Sequence, residues 1–528
     1  MSYSLLEKQL KEIADLQYAS AVLNWDQETY MPIKSNASRS RQIATLATLA
    51  HQKACSSELK NSIDGALQED LNEEQKANVL IALKDYNKAV LLPEDFVNRL
   101  SMQTSKTYHS WVAARKQNEV SIFLPDLSEM IALKKEQSSF FEAVHPYDAL
   151  LDEYEPGATV AQLDPLFSSL KQQLSPLLQA IQNANTVDNQ VLHQFYDKQQ
   201  QWDFSIDVLQ HIGYDFEAGR QDYAEHPFTT SFSAQDVRIT TRVDEHDFSN
   251  LLWSSIHEAG HALYEQGIRD DMYGMPIGSA CSLSIHESQS RIWENNIGRG
   301  KLFWKYWYPK LQQQVNGFKT TSLEQFYAAI NKVVPSLIRT EADELTYHFH
   351  VMIRYEIEKG LIDGSIQVKD IKQIWNDYYQ NYLGIHAQDD RDGVLQDIHW
   401  SHGSFGYFPT YSLGSLYAAQ FYTFAKQEIE RAEWQELLKQ GWKLDKEGNK
   451  IPILFGARLS GNLSPDVRIG AMNMQTGRQG NYAPENFSAF TWQKRVLKRS
   501  MVKGYFLNRE NFISVEEKKK NPLDKYGR

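Results

Sequence analysis

The segment LLWSSIHEAGHALYEQG, residues 251–267, holds His257, Glu258 and His261 in the spacing H-E-x-x-H. Residues four apart share one face of an α-helix, so two imidazoles at this spacing converge on one Zn²⁺. Leu251, Leu252, Trp253, Ile256, Ala259, Ala262 and Leu263 flank the motif and are apolar enough to bury such a helix. Gly260, between the histidines, leaves room for close packing against it. Glu258 then stands beside the metal, where a carboxylate can take a proton from bound water. The plainer alternative is a core helix whose histidines are satisfied internally.

A catalytic zinc keeps three protein ligands and one open position. Glu287, in CSLSIHESQSRIWENN (281–296), follows on a second expected helix; spacing alone leaves Glu294 and Asp270 open as well. Cys281 lies nearby and reads as a small buried residue.

Outward from this centre, most of the chain to about residue 430 reads as helical. Residues 5–24 place Leu5, Leu6, Leu10, Ile13, Leu16 and Leu23 near a 3.6-residue period, and similar leucine-rich segments recur around 76–92, 128–144, 161–182 and 323–337. Pro32, Pro93 and Pro335 fall at expected helix ends. The run DVRITTRV from Asp236 alternates with β-branched residues, which predicts a strand. Just upstream of the motif, it is the candidate edge strand for pairing with an extended substrate.

The whole chain has 528 residues and a net charge of −12, which argues against broad phosphate neutralisation and so against nucleic acid as a partner. Two cysteines, Cys55 and Cys281, are too few for a disulfide framework. The N-terminal region has no apolar core of a signal peptide, and no stretch approaches the roughly 20 apolar residues of a membrane span. A cytoplasmic location is expected. Residues 441–528 differ in kind, with 17 Lys and Arg against 8 Asp and Glu, so that residues 1–440 carry −21. Segments such as IPILFGARLS and NFSAFTWQKRV alternate as strands do. We therefore expect a domain over 1–440 and a basic, β-rich tail over 441–528.

Six motifs carry a resemblance. In order they are WDQETYMP (25–32); His226-Pro227-Phe228; Asp236, Arg238 and Thr240 as D-x-R-x-T; H-E-x-x-H with HESQ at 286–289; Ile338 to Asp343 as I-R-x-x-A-D; and Gly393 to Trp400 as G-x-x-Q-D-x-H-W. Over roughly residues 1–430 the chain resembles the thermostable (Taq-type) zinc carboxypeptidases. The resemblance implies a mainly α, saddle-like body with a deep central groove and a small sheet at the cleft, one Zn²⁺ per chain (with Co²⁺ as a substitute), and a homodimer. It implies removal of single residues from peptide C-termini with broad specificity, and it selects Glu287 as third ligand.

Such an enzyme must hydrolyse an amide and recognise an α-carboxylate. For the oxyanion the candidates are His399, Tyr407 and Tyr411. For the carboxylate they are Arg339 and Arg238, because a guanidinium offers parallel hydrogen bonds. A salt bridge from Arg339 to Glu341 or Asp343 in the same helix is the structural alternative. Asp343 or Glu341 can also be read as the partner of a ligand histidine, and His226 as substrate-facing. The helical ending expected of the family is not visible after about residue 435. Residues 450–515 instead resemble a fragment of an outer-membrane-type β-barrel, with G-A-R-L-S-G followed by an N-x-Q-T turn. Two other readings stand beside the carboxypeptidase: a zinc endopeptidase or dipeptidase, and an inactive or unstable fusion product that keeps the site residues.

Overall fold

The computed structural model describes residues 2–439 and, beyond them, 442–444, 450–464, 467–476, 485–497 and 500–511. The chain divides into two compact units, Met1–Tyr422 and Thr423–Arg528. The first is mainly helical. Of its helices, those that position the site are α1 (Ser2–Thr29), α2 (Leu124–Ser139), α3 (Asp148–Tyr154), α4 (Phe248–Gln266), α5 (Leu283–Arg291) and α6 (Tyr347–Asp363). A seventh, α7 (Pro409–Lys439), begins in this unit.

The leucine stripes form helices, Ser2–Thr29 running past the expected 5–24 at both ends and two others, Leu124–Ser139 and Leu323–Ile330, ending earlier than the periodicity suggested. The segment around 323–337 stops at Ile330, where the helix hands its last carbonyls to Asn331 ahead of Pro335. The segment around 161–182 keeps Pro165 and Pro176 inside its helix, so proline is not confined to ends. Arg339–Glu341 is a single 3₁₀ turn rather than part of a longer helix.

A three-stranded sheet stands beside α4. Its strands are β1 (Gly219–Tyr223), β2 (Thr229–Ser233) and β3 (Asp236–Thr241), in the order β1-β3-β2. The strand expected at the cleft edge is thus the central one, paired parallel to β1 and antiparallel to β2. The sequence hid this because GRQDY and TTSFS are too polar to announce strands. Val237 and Ile239 of β3 pack on Ala259 and Ala262 of α4, while β1 and β2 are the two edges and β2 is the one that carries Thr229. The WDQETYMP stretch holds this sheet from behind. The Arg238 guanidinium lies 4.5 Å from the ring centre of buried Trp25, and the Tyr30 hydroxyl donates to Asp222 of β1.

α4 starts at Asp247, whose side chain accepts from Ser249 N, and α5 at Ser282, which accepts from Ile285 N. The two meet at Gly260: a Cβ there would lie 2.5 Å from Gln289 O and 2.6 Å from Ser290 Cα. Only glycine permits this backbone contact. Among the described residues no helix is long and apolar enough to cross a membrane.

The second unit contains an antiparallel meander of strands in the order β4-β5-β6-β7-β8, namely Trp442–Leu444, Lys450–Ser464, Val467–Thr476, Glu485–Leu497 and Ser500–Asn511. Strands were expected here, but the likeness to an outer-membrane barrel gains no support. The order is open, with β4 and β8 unpaired to each other among the described residues. Asn473–Thr476, read as a turn, continues the strand β6. Residues 477–484 and 512–528 lie outside the described residues.

Replacing Gly260 by Ala is expected to push α5 away from α4 and to cost about 1–3 kcal/mol. Thermal unfolding together with bound-metal stoichiometry checks this, and both should fall.

Candidate metal centre and active site

The contact at Gly260 sets the geometry that follows. It brings Glu287 Oε2 to 3.4 Å from His261 Nε2 and 3.7 Å from His257 Nε2. The three donor atoms lie within 4.8 Å of one another. Two imidazoles and a carboxylate suit a divalent cation that takes nitrogen and oxygen ligands. On the opposite side α7 presses on the same carboxylate through Gly414, where a Cβ would come within 2.6 Å of Glu287 Cγ. Glu287 is gripped between two helices.

Around these donors runs a ladder of charge. Arg291 Nε donates to Glu287 Oε1 at 2.6 Å, Arg291 Nη1 to Glu294 Oε2 at 3.0 Å, and Glu294 Oε2 lies 2.8 Å from His257 Nδ1. Glu294 is therefore the partner of His257, on the ring nitrogen opposite the one that faces Glu287. Its hold on Nδ1 leaves the Nε2 lone pair for a cation. A π-helical turn at Ile292–Ile297, directly after α5, carries Glu294 there. Burial works against charge on His257, yet Glu287 and Glu294 outweigh it and raise its pKa to about 9. Burial likewise opposes the charge of Glu294, but Arg291 and His257 hold it down to about 2. Asp270, the other candidate ligand, is exposed in a short turn and takes no part.

His261 is oriented differently. Its ring stacks on that of His286, centroids 4.4 Å apart, and His286 Nε2 pairs with Glu265 Oε1 at 2.9 Å. Glu258 is buried beside the ligands, and its Oε2 accepts a 2.6 Å hydrogen bond from the Thr229 hydroxyl at the start of β2. Thr229 was missed in the sequence, although it directly follows the HPF motif.

A second cluster carries Arg339. Its Nε donates to Asp397 Oδ1 at 3.0 Å and its Nη1 to the Tyr347 hydroxyl at 3.0 Å. The expected partners Glu341 and Asp343 are not used. Glu341 is exposed, because the turn at Arg339–Glu341 points it to solvent. Asp343 accepts from Val334 N, Leu345 N and Thr346 N, and so ties the loop to the start of α6. Neither reaches a histidine. Tyr347 links the two clusters, since its ring lies 4.4 Å from the Arg291 guanidinium. Nothing in the stretch YHFH marked it out.

The oxyanion candidates do come together. His399 Nε2 lies 3.3 Å from the Tyr411 hydroxyl, and the Tyr407 and Tyr411 rings are 5.3 Å apart. Burial, reinforced by Arg339 and Arg354, depresses the His399 pKa to about 3, so the ring is neutral at ordinary pH and offers one N–H donor. Arg238 is not in this group. Asp236 takes its Nε and Nη2, each at 2.8 Å, and its guanidinium is stacked against Trp25. His226 is exposed in the link between β1 and β2.

The profile described as Carboxypeptidase Taq (M32) metallopeptidase matches residues 5–445. The chain belongs to this M32 family. Carboxypeptidase 1 of Bacillus subtilis is 41% identical over 439 residues, covering 82% of this chain and 87% of that protein. Thermostable carboxypeptidase 1 of Thermus thermophilus is 39% identical over 491 residues, covering 88% and 96%. Among solved structures, the M32 carboxypeptidase of Deinococcus radiodurans superposes with a TM-score of 0.79 at 37% identity, covering 81% of this chain and 87% of that one. This M32 chain is thus a metallocarboxypeptidase of mainly helical fold, and its family implies a divalent metal. The His257, His261 and Glu287 donor set fits one.

Removing the carboxylate that orients His257, in Glu294→Ala, is expected to weaken metal binding about 10–100-fold. Competition with a chromophoric chelator measures it, and an unchanged affinity would contradict the role assigned to Glu294.

Proposed function

We propose that residues 1–440 form a zinc-dependent carboxypeptidase body that removes single residues from peptide C-termini with broad specificity. The observation that carries this reading is the convergence of His257, His261 and Glu287 with the Glu258 carboxylate beside them. In the proposal these three hold Zn²⁺, which Co²⁺ can replace. When bound, the metal supplies Lewis acidity to the scissile carbonyl and to the attacking water.

The protein's own groups do the rest. Glu258 takes the water proton and passes it to the leaving amine, and the Thr229 hydroxyl fixes which carboxylate oxygen is free to do so. The carbonyl oxygen of the substrate, as it gains charge, is met by a donor from the His399, Tyr407 and Tyr411 group. The β2 edge, in line with Thr229, is the backbone that an extended peptide would pair with. This replaces the assignment to Asp236–Thr241, both of whose sides are occupied.

Arg339 is the proposed receptor for the substrate α-carboxylate. Asp397 holds Nε and Nη2 at 3.0 Å and Tyr347 takes one N–H of Nη1, leaving N–H groups of the Nη pair for a substrate. Arg238 is a poor second because Asp236 already occupies its fork. The same reading carries a cytoplasmic location and a homodimer, and gives no role to the basic tail 441–528.

Three measurements test it. A blocked dipeptide assay should show turnover that stops on chelation and returns with Zn²⁺ or Co²⁺. Glu258→Gln should keep its metal while kcat falls by about 10³-fold or more; retained turnover would remove Glu258 from the role of base. Arg339→Ala should impair free-acid peptides far more than C-terminally amidated ones. An equal loss on both would make Arg339 structural and favour an endopeptidase on this scaffold.

A further inference from the structure

Glu358, near the middle of α6, is fully buried and takes no part in the site described above. Its carboxylate accepts three hydrogen bonds on two oxygens. Trp400 Nε1 donates to Oε1 at 2.7 Å, Gly406 N to Oε2 at 2.9 Å, and the Tyr147 hydroxyl to Oε2 at 2.5 Å. Two of these donors belong to one short stretch, 399–408, and they flank most of it. That stretch carries His399 just before Trp400 and Tyr407 just after Gly406.

The backbone between them is tightly specified. Gly403 and Gly406 both adopt left-handed conformations, with φ of 74° and 94°. A Cβ at Gly406 would come 2.5 Å from Leu150 O, at the base of α3. Trp400 is wedged edge-on against Trp375, with centroids 5.9 Å apart. Buried Lys134 of α2 is the nearby cation, and its side chain runs past Gly403. A loop folded this closely has little latitude in where its two ends point.

We propose that Glu358 is a positioning residue for catalysis: by accepting from Trp400 and from Gly406 N it fixes the loop that presents His399 and Tyr407 to the substrate. The inference rests on the reading that these two side chains face the reacting carbonyl. A buried carboxylate is suited to the task because it has acceptor capacity for all three donors and no donor of its own. An amide in its place offers one oxygen and turns its NH₂ toward a donor, leaving a buried group unsatisfied.

The test compares Glu358→Gln and Trp400→Phe with the wild-type chain and with Tyr407→Phe, on a blocked dipeptide with bound zinc quantified. The expected result is kcat per metal-loaded molecule lower by about 10–100-fold for Glu358→Gln, the scale of an ångström-sized misplacement. KM should stay within about twofold, because ground-state binding is untouched. Trp400→Phe should show the same split more weakly, and it decides the question if Glu358→Gln fails to fold. Wild-type kcat per metal-loaded molecule in the folded variants would overturn the inference, as would a loss confined to KM. If Tyr407→Phe and a companion His399→Ala both leave turnover intact in an active wild type, the reading beneath it is at fault instead.

Discussion

The site depends on one close approach, that of the α4 backbone at Gly260 to the α5 backbone at Gln289 and Ser290. Two histidines four apart on a helix can be written into any sequence, but they remain a pair until a third donor is brought over them. Helices with ordinary side chains between them sit about 8–10 Å apart. Glycine at the crossing removes that spacing, and the Glu287 carboxylate arrives within reach of both Nε2 atoms. Gly414 repeats the device on the far side. Everything else at the centre tunes atoms that these two contacts have already placed.

The tuning is electrostatic. Three groups of alternating sign, buried Glu287 and the partly buried Arg291 and Glu294, lead to His257, and each is hydrogen-bonded to the next. Buried charges are costly unless paired, and removing one member leaves its neighbour uncompensated. The same logic governs the second cluster, where Asp397 serves both Arg339 and Arg354, with Arg354 Nε donating at 2.6 Å. Tyr347 lies between the two systems, touching an arginine from each. The His257, His261 and Glu287 group and Arg339, the proposed receptor for the substrate carboxylate, are thereby joined through one phenol.

Much of this was legible in the sequence, for physical reasons. Helices declare themselves by period, and a metal motif by the four-residue spacing that a helix turns into one face. His257 and His261, with Glu258 between them, belong to that class of signal, whereas Glu287 was one of three carboxylates that spacing left open and only the family resemblance selected it. What stayed hidden depends on contacts between distant segments. Glu294 was visible as a carboxylate near the motif, but a π-helical turn decides which way it points, and nothing in IWENNI announces that turn. The strand order was unreadable because β1 and β2 are polar and short, so the one strand with a clear pattern was taken for the edge when it is the centre. Arg238 shows the limit of motif reading: its place in D-x-R-x-T made it a substrate candidate, while Asp236, two residues away, and Trp25, more than two hundred away, already claim it. For Asp343 and Glu341, sequence neighbours of Arg339 were preferred over Asp397, the partner that the fold supplies.

The grip of Gly414 on Glu287 also bears on how the chain comes to be folded. The metal donors lie between residues 257 and 287, close enough to assemble from contacts of short range once α4 and α5 have formed. Their cover, from His399 to Gly414, is made more than a hundred residues later, and long-range closure is the slow and entropically expensive part of folding. Synthesis runs from the N-terminus, so His257, His261 and Glu287 are made before the residues that cover Glu287 on its second side. In this chain His257, Glu258, His261 and Glu287 are made early, and the stretch from His399 to Gly414 that covers them is made late.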